Sequence, residues 1–533
     1  MYNNYTPLQQ RQLALQEYSN TQSTYLLVCA PARSTALKAT LTDQLHRKFR
    51  LVNRLDGELT ASVDGVLLAA EDVELMSTAL MYFAKALQDG ADYAVCNAVF
   101  GFGGATALYQ SQPLQAQNRC AVVSRTLLER CRAAAHDPEN VPELLALAAQ
   151  LCTRPILIPQ ALLHYERGIC AEDAFSAHGK RAFIMSHVLD MTGAPIVLVS
   201  AVPVLRSMGY EVLVLGPSDG GSLHLFLDAG ASVITRSSCR NVSDAWGMAL
   251  CADFVIVNTV VMARAVRALS GTAVPVLWWL HDAFAGYPHI AHQIPTQLGE
   301  NVRVYSVGNH AANAMRAVRP EFEIRPLIYG LPDYAAENFV RTDLGYNRGR
   351  PLFATVGSFE RRKGHDIFCK AIRLLPPEVR EKASFLFVGQ AADKEMMDSV
   401  RTLTADYPEN VFYCKRLTRD EIKSLMEQCT GLVCASRDDP MPTFVTEGLI
   451  FGKPSIVSEH TGTAGLISEG RNGFVYHNDD PQQLAVLLEH AIEHPEELAS
   501  MRTECRKMYE QYYSKEAFEQ TLRAVVEDLT VKK

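Results

Sequence analysis

Short apolar runs alternate with helical stretches along most of the chain. The pattern is least regular at the start, where a strand-like run at 25–30 precedes helical stretches around 73–88 and 141–152 and an apolar run at 154–168. From 180 to 345 the alternation is clear, with runs rich in β-branched residues at 181–185, 210–216, 231–236, 253–258, 274–280 and 302–308. Uninterrupted apolar strands joined by helices are typical of a parallel sheet that is covered on both faces.

The last part of the chain repeats this design. Its strand candidates are 351–357, 384–389, 410–414, 431–436 and 453–458, and 480–530 has a helical pattern throughout. We therefore expect an α/β protein with two consecutive doubly wound, Rossmann-like domains that face a cleft, with ligands at the carboxyl ends of the strands. Because 533 residues exceed one core, we divide the chain into an additional α/β domain at 1–175 and Rossmann-like domains at 176–345 and 346–533.

Composition excludes several classes of protein. A net charge of −8 provides no basic excess to neutralise phosphates, which argues against a nucleic-acid binder. The 13 cysteines are scattered, with neither a CxxC pair nor metal-ligand spacing, so we expect a reducing compartment and no metal site. The polar N-terminus resembles no signal peptide, and the longest apolar run, 193–205, is too short to span a bilayer. We expect a cytoplasmic, soluble protein.

The segment 436–458 carries the most informative pattern. Asp439 suits the cap of a helix and Pro440 its first position. The window 441–451 is apolar nearly all round, which predicts a buried helix, and Glu447 is the only charge in it. A buried carboxylate requires a polar partner. Two alternatives follow: a structural ion pair, or hydrogen bonds accepted from a diol such as a ribose.

Two glycine-containing loops accompany this helix. Gly357 follows a strand, and the cations Arg361, Arg362 and Lys363 cluster at the next helix N-terminus, where the helix dipole favours an anion such as a diphosphate. A solvated basic patch is the alternative. The turn 462–464 offers backbone N–H groups near another strand end, and an ordinary glycine loop is the alternative there.

With these motifs in view, the region 351–490 resembles the donor-binding domain of retaining glycosyltransferases of family 4, which have the GT-B architecture. That family has an E-x7-E motif, a glycine-then-lysine phosphate loop and a closing Gly-rich loop before an Asn-Gly-Phe turn. The matching residues here are Asp439 and Glu447, then Gly357 with Lys363 and Gly364, then Thr461, Gly462 and Thr463 followed by Asn472, Gly473 and Phe474.

The resemblance implies roles for these residues. Glu447 would hold the nucleotide ribose, and Asp439 would contact hydroxyls of the transferred sugar. Lys363 with Arg361 or Arg362 would neutralise the diphosphate. Two departures from the family pattern are Asp439 in place of glutamate and Ser358 at a position that is often arginine. The implied donor site also includes Gly193, Gly357, Ser358, Arg361, Arg362, Arg416 for the base, the amides of Thr443 and Phe444, and Thr461, Gly462 and Thr463.

The region 176–345 resembles the family's acceptor domain more loosely. Gly193 lies where these enzymes have a Gly-rich loop after the first strand, and His281 and Asp282 follow a strand. The resemblance implies that His281 contacts the donor sugar or the reacting hydroxyl; a structural histidine is the alternative. A basic face of Arg303, His310, Arg316 and Arg319 is typical either of ordinary solvated helices, which we favour, or of contact with an anionic lipid.

The first region is similar to a glycosyltransferase of family 2. The segment 57–95 resembles the middle of that family and 154–168 its "IP-x-x-L-x-H" ending, but no DxD metal motif is present. We interpret 1–175 as a degenerate GT-A-like domain without catalysis of its own.

The sequence thus predicts a metal-independent, retaining hexosyltransferase with no cofactor. It would move a sugar from a nucleotide diphosphate donor to a glycan, glycolipid or protein-linked acceptor in surface polysaccharide or glycoconjugate synthesis. The departing phosphate would itself take the acceptor proton, as the family mechanism implies. One rival is an epimerase or phosphorylase on the same fold; another is a non-catalytic nucleotide-sugar scaffold or sensor. Peripheral membrane contact at the inner face and homo- or hetero-oligomers stay open.

Overall fold

A computed structural model describes residues 23–530, apart from 31–34, 42–43, 45, 56–61, 71–72, 77, 103–105, 111–119, 166–178, 219, 237–238 and 240–243. The chain forms two compact units, which divide after Val255. The family 2 resemblance rests partly on 57–61 and 166–168, which lie outside the described residues.

The first unit contains eleven strands and seven α-helices in its described residues. Its strands are β1 Leu26–Cys29, β2 Phe49–Val52, β3 Gly65–Ala69, β4 Glu74–Leu75, β5 Tyr93–Phe102, β6 Thr106–Gln110, β7 Cys120–Ser124, β8 Pro155–Tyr165, β9 Lys180–Met185, β10 Tyr210–Gly216 and β11 Ser232–Arg236. Its helices are α1 Thr35–Leu41, α2 Ala79–Gln88, α3 Arg125–Ala134, α4 Val141–Leu151, α5 Gly193–Ser207, α6 Leu223–Asp228 and α7 Asp244–Gly247.

The sheet of the first unit is mixed. Its strand order is β9-β10-β11-β6-β5-β7-β3-β1-β2, and β8 pairs with β5 and β4. Strand β1 is parallel to β2 and β3, whereas β7 is antiparallel to β3. Strand β6 pairs antiparallel with β11, so the sheet continues from residues before 175 to residues beyond it. The boundary at 175 and the GT-A-like origin of the first region both stay predictions.

The second unit contains most of β12 and two further sets of elements. Its strands are β12 Phe254–Asn258, β13 Val276–Leu280, β14 Val302–Ser306, β15 Ile324–Pro326, β16 Leu352–Val356, β17 Ser384–Val388, β18 Val411–Cys414, β19 Gly431–Cys434, β20 Ser455–Ser458 and β21 Gly473–Tyr476. Its helices are α8 Ala263–Leu269, α9 Tyr287–Ile290, α10 Asn309–Arg316, α11 His365–Leu374, α12 Pro377–Arg380, α13 Lys394–Asp406, α14 Arg419–Gln428, α15 Thr443–Ile450, α16 Pro481–Glu493, α17 Pro495–Ser500, α18 Arg502–Met508 and α19 Lys515–Thr530.

Parallel pairing organises the second unit. Strands β13, β14 and β15 pair in parallel, and a separate parallel sheet has the order β18-β17-β16-β19-β20-β21. Every residue of β13, β17, β19 and β20 is buried. Continuous burial along a strand requires cover on both faces, which explains why these strands are apolar without alternation.

Each strand predicted between 180 and 458 is present, usually shortened by one or two residues. After residue 180 the pattern missed β15 and β21, which have three and four residues. Such short runs contain too few positions to show a periodicity. The predicted helical end of the chain is also confirmed, as α16 to α19 with a π-helical turn at Tyr509–Tyr513.

Candidate functional site

Helix α15 carries Glu447 and begins later than the sequence predicts. The prediction that Asp439 caps it and Pro440 opens it is wrong, because the first helical residue is Thr443 and Pro442 holds the cap position. The backbone of Asp439 is used elsewhere: its amide donates to the carbonyl of His460 at 3.1 Å, and its carbonyl accepts from the amide of Gly462 at 2.9 Å. The helix itself is buried from Phe444 onwards, as predicted.

The carboxylate of Asp439 pairs with Lys363. Their Oδ2 and Nζ atoms lie 2.6 Å apart, and the side chains are 5 % and 18 % exposed. Lys363 ends a 3₁₀ turn at Arg361–Lys363, after which Gly364 has a φ of 67°. A Cβ atom on Gly364 would lie 1.8 Å from the carbonyl oxygen of Ala435, so this turn needs glycine. The predicted phosphate loop therefore meets the first acidic position of the motif.

Arg437, which the sequence analysis missed, holds the phosphate loop against the motif. Its amide donates to the carbonyl of Arg362 at 2.7 Å, and its guanidinium donates to the carbonyl of Arg361 at 2.8 Å. The same guanidinium binds both oxygens of Asp366, at 2.8 and 2.9 Å. Burial opposes ionisation of Asp366, but Arg437 outweighs it and lowers the pKa of that carboxyl. Arg437 directly precedes two acidic residues, and this was the signal available in the sequence.

The other loop residues differ in their partners. Arg362 Nε lies 2.8 Å from Glu360 Oε2, and Ser358 also donates to Glu360. Burial opposes ionisation of Glu360, yet Ser358 and Arg362 together lower its pKa. At the position where the family often has arginine, Ser358 therefore donates a hydrogen bond to the Glu360 carboxylate. Arg361 is exposed and has no ion-pair partner within the described part of the chain.

Glu447 is paired with Arg419. Its Oε1 lies 2.7 Å from Nη1 of Arg419; the Glu447 side chain is 11 % exposed and that of Arg419 is 46 % exposed. The guanidinium also lies over the ring of Tyr334, 4.2 Å from its centroid. Arg416, which the resemblance places beside the nucleotide base, is exposed, and its carbonyl accepts from the thiol of Cys414 at 3.2 Å. Its role at the base stays a prediction. The Arg419–Glu447 pair spans 28 residues, so no local pattern could identify it.

Backbone amides and a tight turn complete this region. The first amides of a helix have no partner within it, so those of Thr443 and Phe444 are available to an anion. Beside them, Thr461 and Thr463 are buried, and a Cβ atom on Gly462 would lie 1.7 Å from the carbonyl oxygen of Pro440. Glycine at 462 is thus what allows the closing turn to approach the segment that holds Asp439. Gly357 directly follows β16 and has open space on its Cβ side.

His281 and Asp282 follow β13, as predicted. The ring of His281 lies 4.7 Å from that of Trp279, and Asp282 Oδ2 accepts from the amide of Val260 at 2.6 Å. Burial raises the pKa of Asp282 to about 6. Gly193, by contrast, belongs to the first unit, where it is the first residue of α5 rather than part of a loop. The ligand roles of His281 and Gly193 stay predictions.

A second acid pair beside the motif was missed. Asp438 Oδ1 lies 2.7 Å from His310 Nε2, and the carboxylate accepts from the amides of Phe284 at 3.1 Å and Ala285 at 2.9 Å. Burial opposes the charge of Asp438, but these hydrogen bonds lower its pKa. His310 is only 8 % exposed, which corrects its assignment to a basic surface. The guanidinium of Arg319 is also engaged within the protein, since it donates to the carbonyl of Ile294 at 2.8 Å.

The described residues contain neither a metal-binding cluster nor a helix suited to a bilayer. No group of three or more His, Cys, Asp or Glu side chains in these residues has a geometry that could hold a metal ion. Within the same part of the chain, no helix is both long and apolar enough to cross a bilayer.

Comparison with known families now places the fold. Residues 178–313 match Glycosyl-transferase family 4, and residues 337–508 match Glycosyl transferases group 1. The structure is similar to the Anabaena protein HepE in complex with UDP-glucose, with 15 % identity, a TM-score of 0.55, and coverage of 66 % of this chain and 100 % of that one. The chain has the GT-B glycosyltransferase fold.

Further relatives agree with a GT-B assignment. Sucrose-phosphate synthase from Thermosynechococcus elongatus has a TM-score of 0.55 at 14 % identity, again over 66 % of this chain and all of that one. In sequence, the glycosyltransferase MJ1178 of Methanocaldococcus jannaschii is 27 % identical over 36 % of this chain, and the spore coat protein SA of Bacillus subtilis is 27 % identical over 28 %. The matched segments span 53 % and 41 % of the lengths of these two relatives.

Proposed function

We propose that this GT-B protein is a retaining glycosyltransferase that moves a hexosyl-type sugar from a nucleotide diphosphate donor. One arrangement carries the proposal: Lys363, Asp439 and Glu447 lie around the start of α15. A cation and unpaired helix amides attract a diphosphate, while buried carboxylates accept hydrogen bonds from hydroxyl groups. A nucleotide sugar offers both kinds of group, with the diphosphate between the ribose and the sugar.

The comparisons support the donor class. HepE was solved with UDP and with UDP-glucose, and its fold resembles that of this chain. By extension, we assign the ribose to Glu447, the hydroxyls of the transferred sugar to Asp439, and the diphosphate to Lys363 and the amides of Thr443 and Phe444. Arg416 would lie beside the base, and His281 beside the transferred sugar.

The proposed chemistry follows from charge. When the bond to the sugar breaks, negative charge grows on the leaving diphosphate, and groups placed there beforehand stabilise it most in the transition state. Lys363 and the first amides of α15 would supply this stabilisation. In front-face transfer, the acceptor hydroxyl attacks from the side of the leaving group, and the departing phosphate oxygen takes its proton. Neither a metal ion nor a cofactor enters this scheme, and the acceptor would be a glycan, a glycolipid or a protein-linked glycan.

One observation favours a second candidate, a nucleotide-sugar scaffold or sensor without turnover. Asp439 and Glu447 each have a cationic partner within the protein, at 2.6 and 2.7 Å. A donor has to share or displace Lys363, and a protein that binds nucleotide sugars only weakly and performs no chemistry would have the same arrangement.

Both candidates are tested by stabilisation and turnover. We would measure the melting temperature with UDP, ADP, GDP and their hexose conjugates for the wild type, for Glu447→Ala and for a matched control, Glu427→Ala, which removes another glutamate with an arginine partner. Ligand at 100 times its Kd should add about 2.7 kcal/mol to the free energy of unfolding. We expect one nucleotide to stabilise the wild type and the control but not Glu447→Ala.

Turnover then separates the candidates. Release of nucleoside diphosphate in the presence of an acceptor, with the anomeric configuration of the product read by NMR, identifies a retaining transferase. Stabilisation without turnover across a broad acceptor panel would favour the scaffold. If no nucleotide or nucleotide sugar in the panel stabilises the wild type, the donor site itself is refuted.

A further inference from the structure

Arg419 is the first residue of α14, and its guanidinium is bound on two sides. One side pairs with Oε1 of Glu447 at 2.7 Å, and one face lies 4.2 Å from the centroid of the Tyr334 ring. Burial works against the charge of Arg419, but Glu447 and Tyr334 outweigh it and raise its pKa. The guanidinium is therefore charged at neutral pH.

The two partners of this ion pair differ in burial. Glu447 lies on a buried helix and is 11 % exposed, whereas Arg419 is 46 % exposed. An ion pair with one half-exposed partner contributes little to stability. The pair instead fixes the orientation of the Glu447 carboxylate, because a guanidinium bound to one carboxylate oxygen limits rotation of the carboxyl group. Within the described residues, Oε2 of Glu447 has no hydrogen-bond partner.

We propose that Arg419 is a positioning residue for ribose recognition, an inference that rests on the proposed function. By holding Oε1, Arg419 fixes the Glu447 carboxylate so that Oε2 accepts hydrogen bonds from the 2′- and 3′-hydroxyls of the donor ribose. Arg419 makes the protein selective for a ribonucleotide, although it need not touch the nucleotide. Tyr334 contributes by holding the guanidinium over its ring, which limits the alternative orientations of the Arg419 side chain.

The selectivity for ribose over dideoxyribose is the quantity to measure. Titration calorimetry would give Kd for UDP and for 2′,3′-dideoxy-UDP, with ADP and GDP and their dideoxy forms in the same series. Each hydrogen bond to a charged acceptor is worth roughly ten-fold in affinity. We therefore expect the dideoxy form to bind the wild type at least about ten-fold more weakly. In Arg419→Ala this ratio should fall to about three-fold or less, while Arg419→Lys should retain part of it because a cation still reaches Glu447.

Arg341→Ala is the matched control. Arg341 also pairs with a glutamate, Glu427, at 3.0 Å, and its guanidinium lies 4.6 Å from the centroid of an aromatic ring, that of Phe339. Its loss removes the same kind of contact away from Glu447, so the ribose selectivity should remain at the wild-type value. Melting temperatures of all variants verify that each protein is folded, and Arg419→Gln replaces Arg419→Ala if the latter is not.

Each outcome is decisive. If Arg419→Ala binds UDP with undiminished ribose selectivity, Arg419 is only a structural partner and the inference is overturned. If the wild type binds a nucleotide but shows no ribose selectivity, Glu447 does not read the ribose; the inference fails while the proposed function survives. If no nucleotide in the series binds, the proposed function fails as well.

Discussion

Removing either partner of the Lys363–Asp439 pair should have unequal effects on stability. The Nζ and Oδ2 atoms lie 2.6 Å apart, and Asp439 is 5 % exposed whereas Lys363 is 18 % exposed. Lys363→Met leaves a buried carboxylate without its counter-ion, which typically costs about 3–5 kcal/mol. Asp439→Asn leaves an ammonium on a long, flexible stem that can turn towards water, so we expect about 1–2 kcal/mol.

The double variant Lys363→Met/Asp439→Asn measures the interaction energy between the two side chains apart from their contacts with the rest of the protein. It removes both charges, so its loss of stability should be smaller than the sum of the two single losses by about 2–3 kcal/mol. Asn at 439 retains a polar side chain next to Ser436, whose hydroxyl lies 3.5 Å from Oδ2. The methionine approximates the length of the lysine stem, which limits any cavity.

Urea unfolding should be followed by tryptophan fluorescence in a Trp246→Phe background. The chain has three tryptophans, and the remaining two, Trp278 and Trp279, lie in the second unit with the pair. Equal slopes of free energy against urea across the variants would show that the midpoints reflect stability rather than a changed unfolded state. If Lys363→Met costs no more than Asp439→Asn, or if the single losses simply add, the pair is not a buried charge couple and the reasoning fails.

Three further predictions follow from the same region. The pKa of Asp438 is lowered in the folded state, so its ionised carboxylate stabilises the fold above the unfolded pKa near 4, and this stabilisation is lost as the pH falls through the folded pKa. Chemical denaturation at pH 6 and pH 3 should therefore show that Asp438→Asn loses less free energy of unfolding on acidification than the wild type does. The pKa of Asp282 is instead raised to about 6, so ionisation of this carboxyl between about pH 4 and pH 6 works against folding. Asp282→Asn, whose side-chain oxygen can still accept from the amide of Val260, should therefore gain stability relative to the wild type as the pH rises to 7. If the difference in free energy of unfolding between the two proteins is the same at pH 5 and pH 7, the prediction is contradicted. Gly364→Ala should lower the free energy of unfolding by about 1–3 kcal/mol, because φ is 67° and the new Cβ would meet Ala435. Gly345→Ala, with φ 68° but open space around the new Cβ, should lose only the part that comes from the backbone conformation. The melting temperature of Gly364→Ala should therefore fall further than that of Gly345→Ala, and equal melting temperatures would contradict this.

After residue 180, strands that bury a continuous apolar run could be predicted from the sequence, and so could the loop and motif positions between them. Strand β13 is an example: its five residues are all buried, and the pattern located it within two residues. In the first region β3 was missed, although all of its residues are buried. The helix with Glu447 was also found, although its start was placed too early because Asp439 and Pro440 suit a helix start equally well as isolated residues. Only pairing with the 460–462 segment, which lies far along the chain, shows that the helix starts at Thr443.

The partners of the predicted site could not be found in the same way. Arg419 meets Glu447 across 28 residues, and His310 meets Asp438 across 128. Local periodicity contains no information about such distances, because they depend on which strand ends the fold brings together. Arg416, which follows β18, was named for the base pocket through the family resemblance alone. The family resemblance indicated which residues belong to the site, whereas only the folded structure showed which side chains pair with them.

Asp438 and Asp439 are consecutive, yet they are anchored to different parts of the second unit. Asp438 is bonded to His310 on α10 and to the turn at 284–286, whereas Asp439 is bonded to Lys363 in the loop after β16. Two adjacent side chains therefore connect α10 and the 284–286 turn to the loop after β16. A shift of α10 relative to that loop has to be absorbed by these side chains or break one of their two ion pairs. The position of the Lys363 ammonium is thus coupled to the position of α10, although the two share no direct contact in these ion pairs.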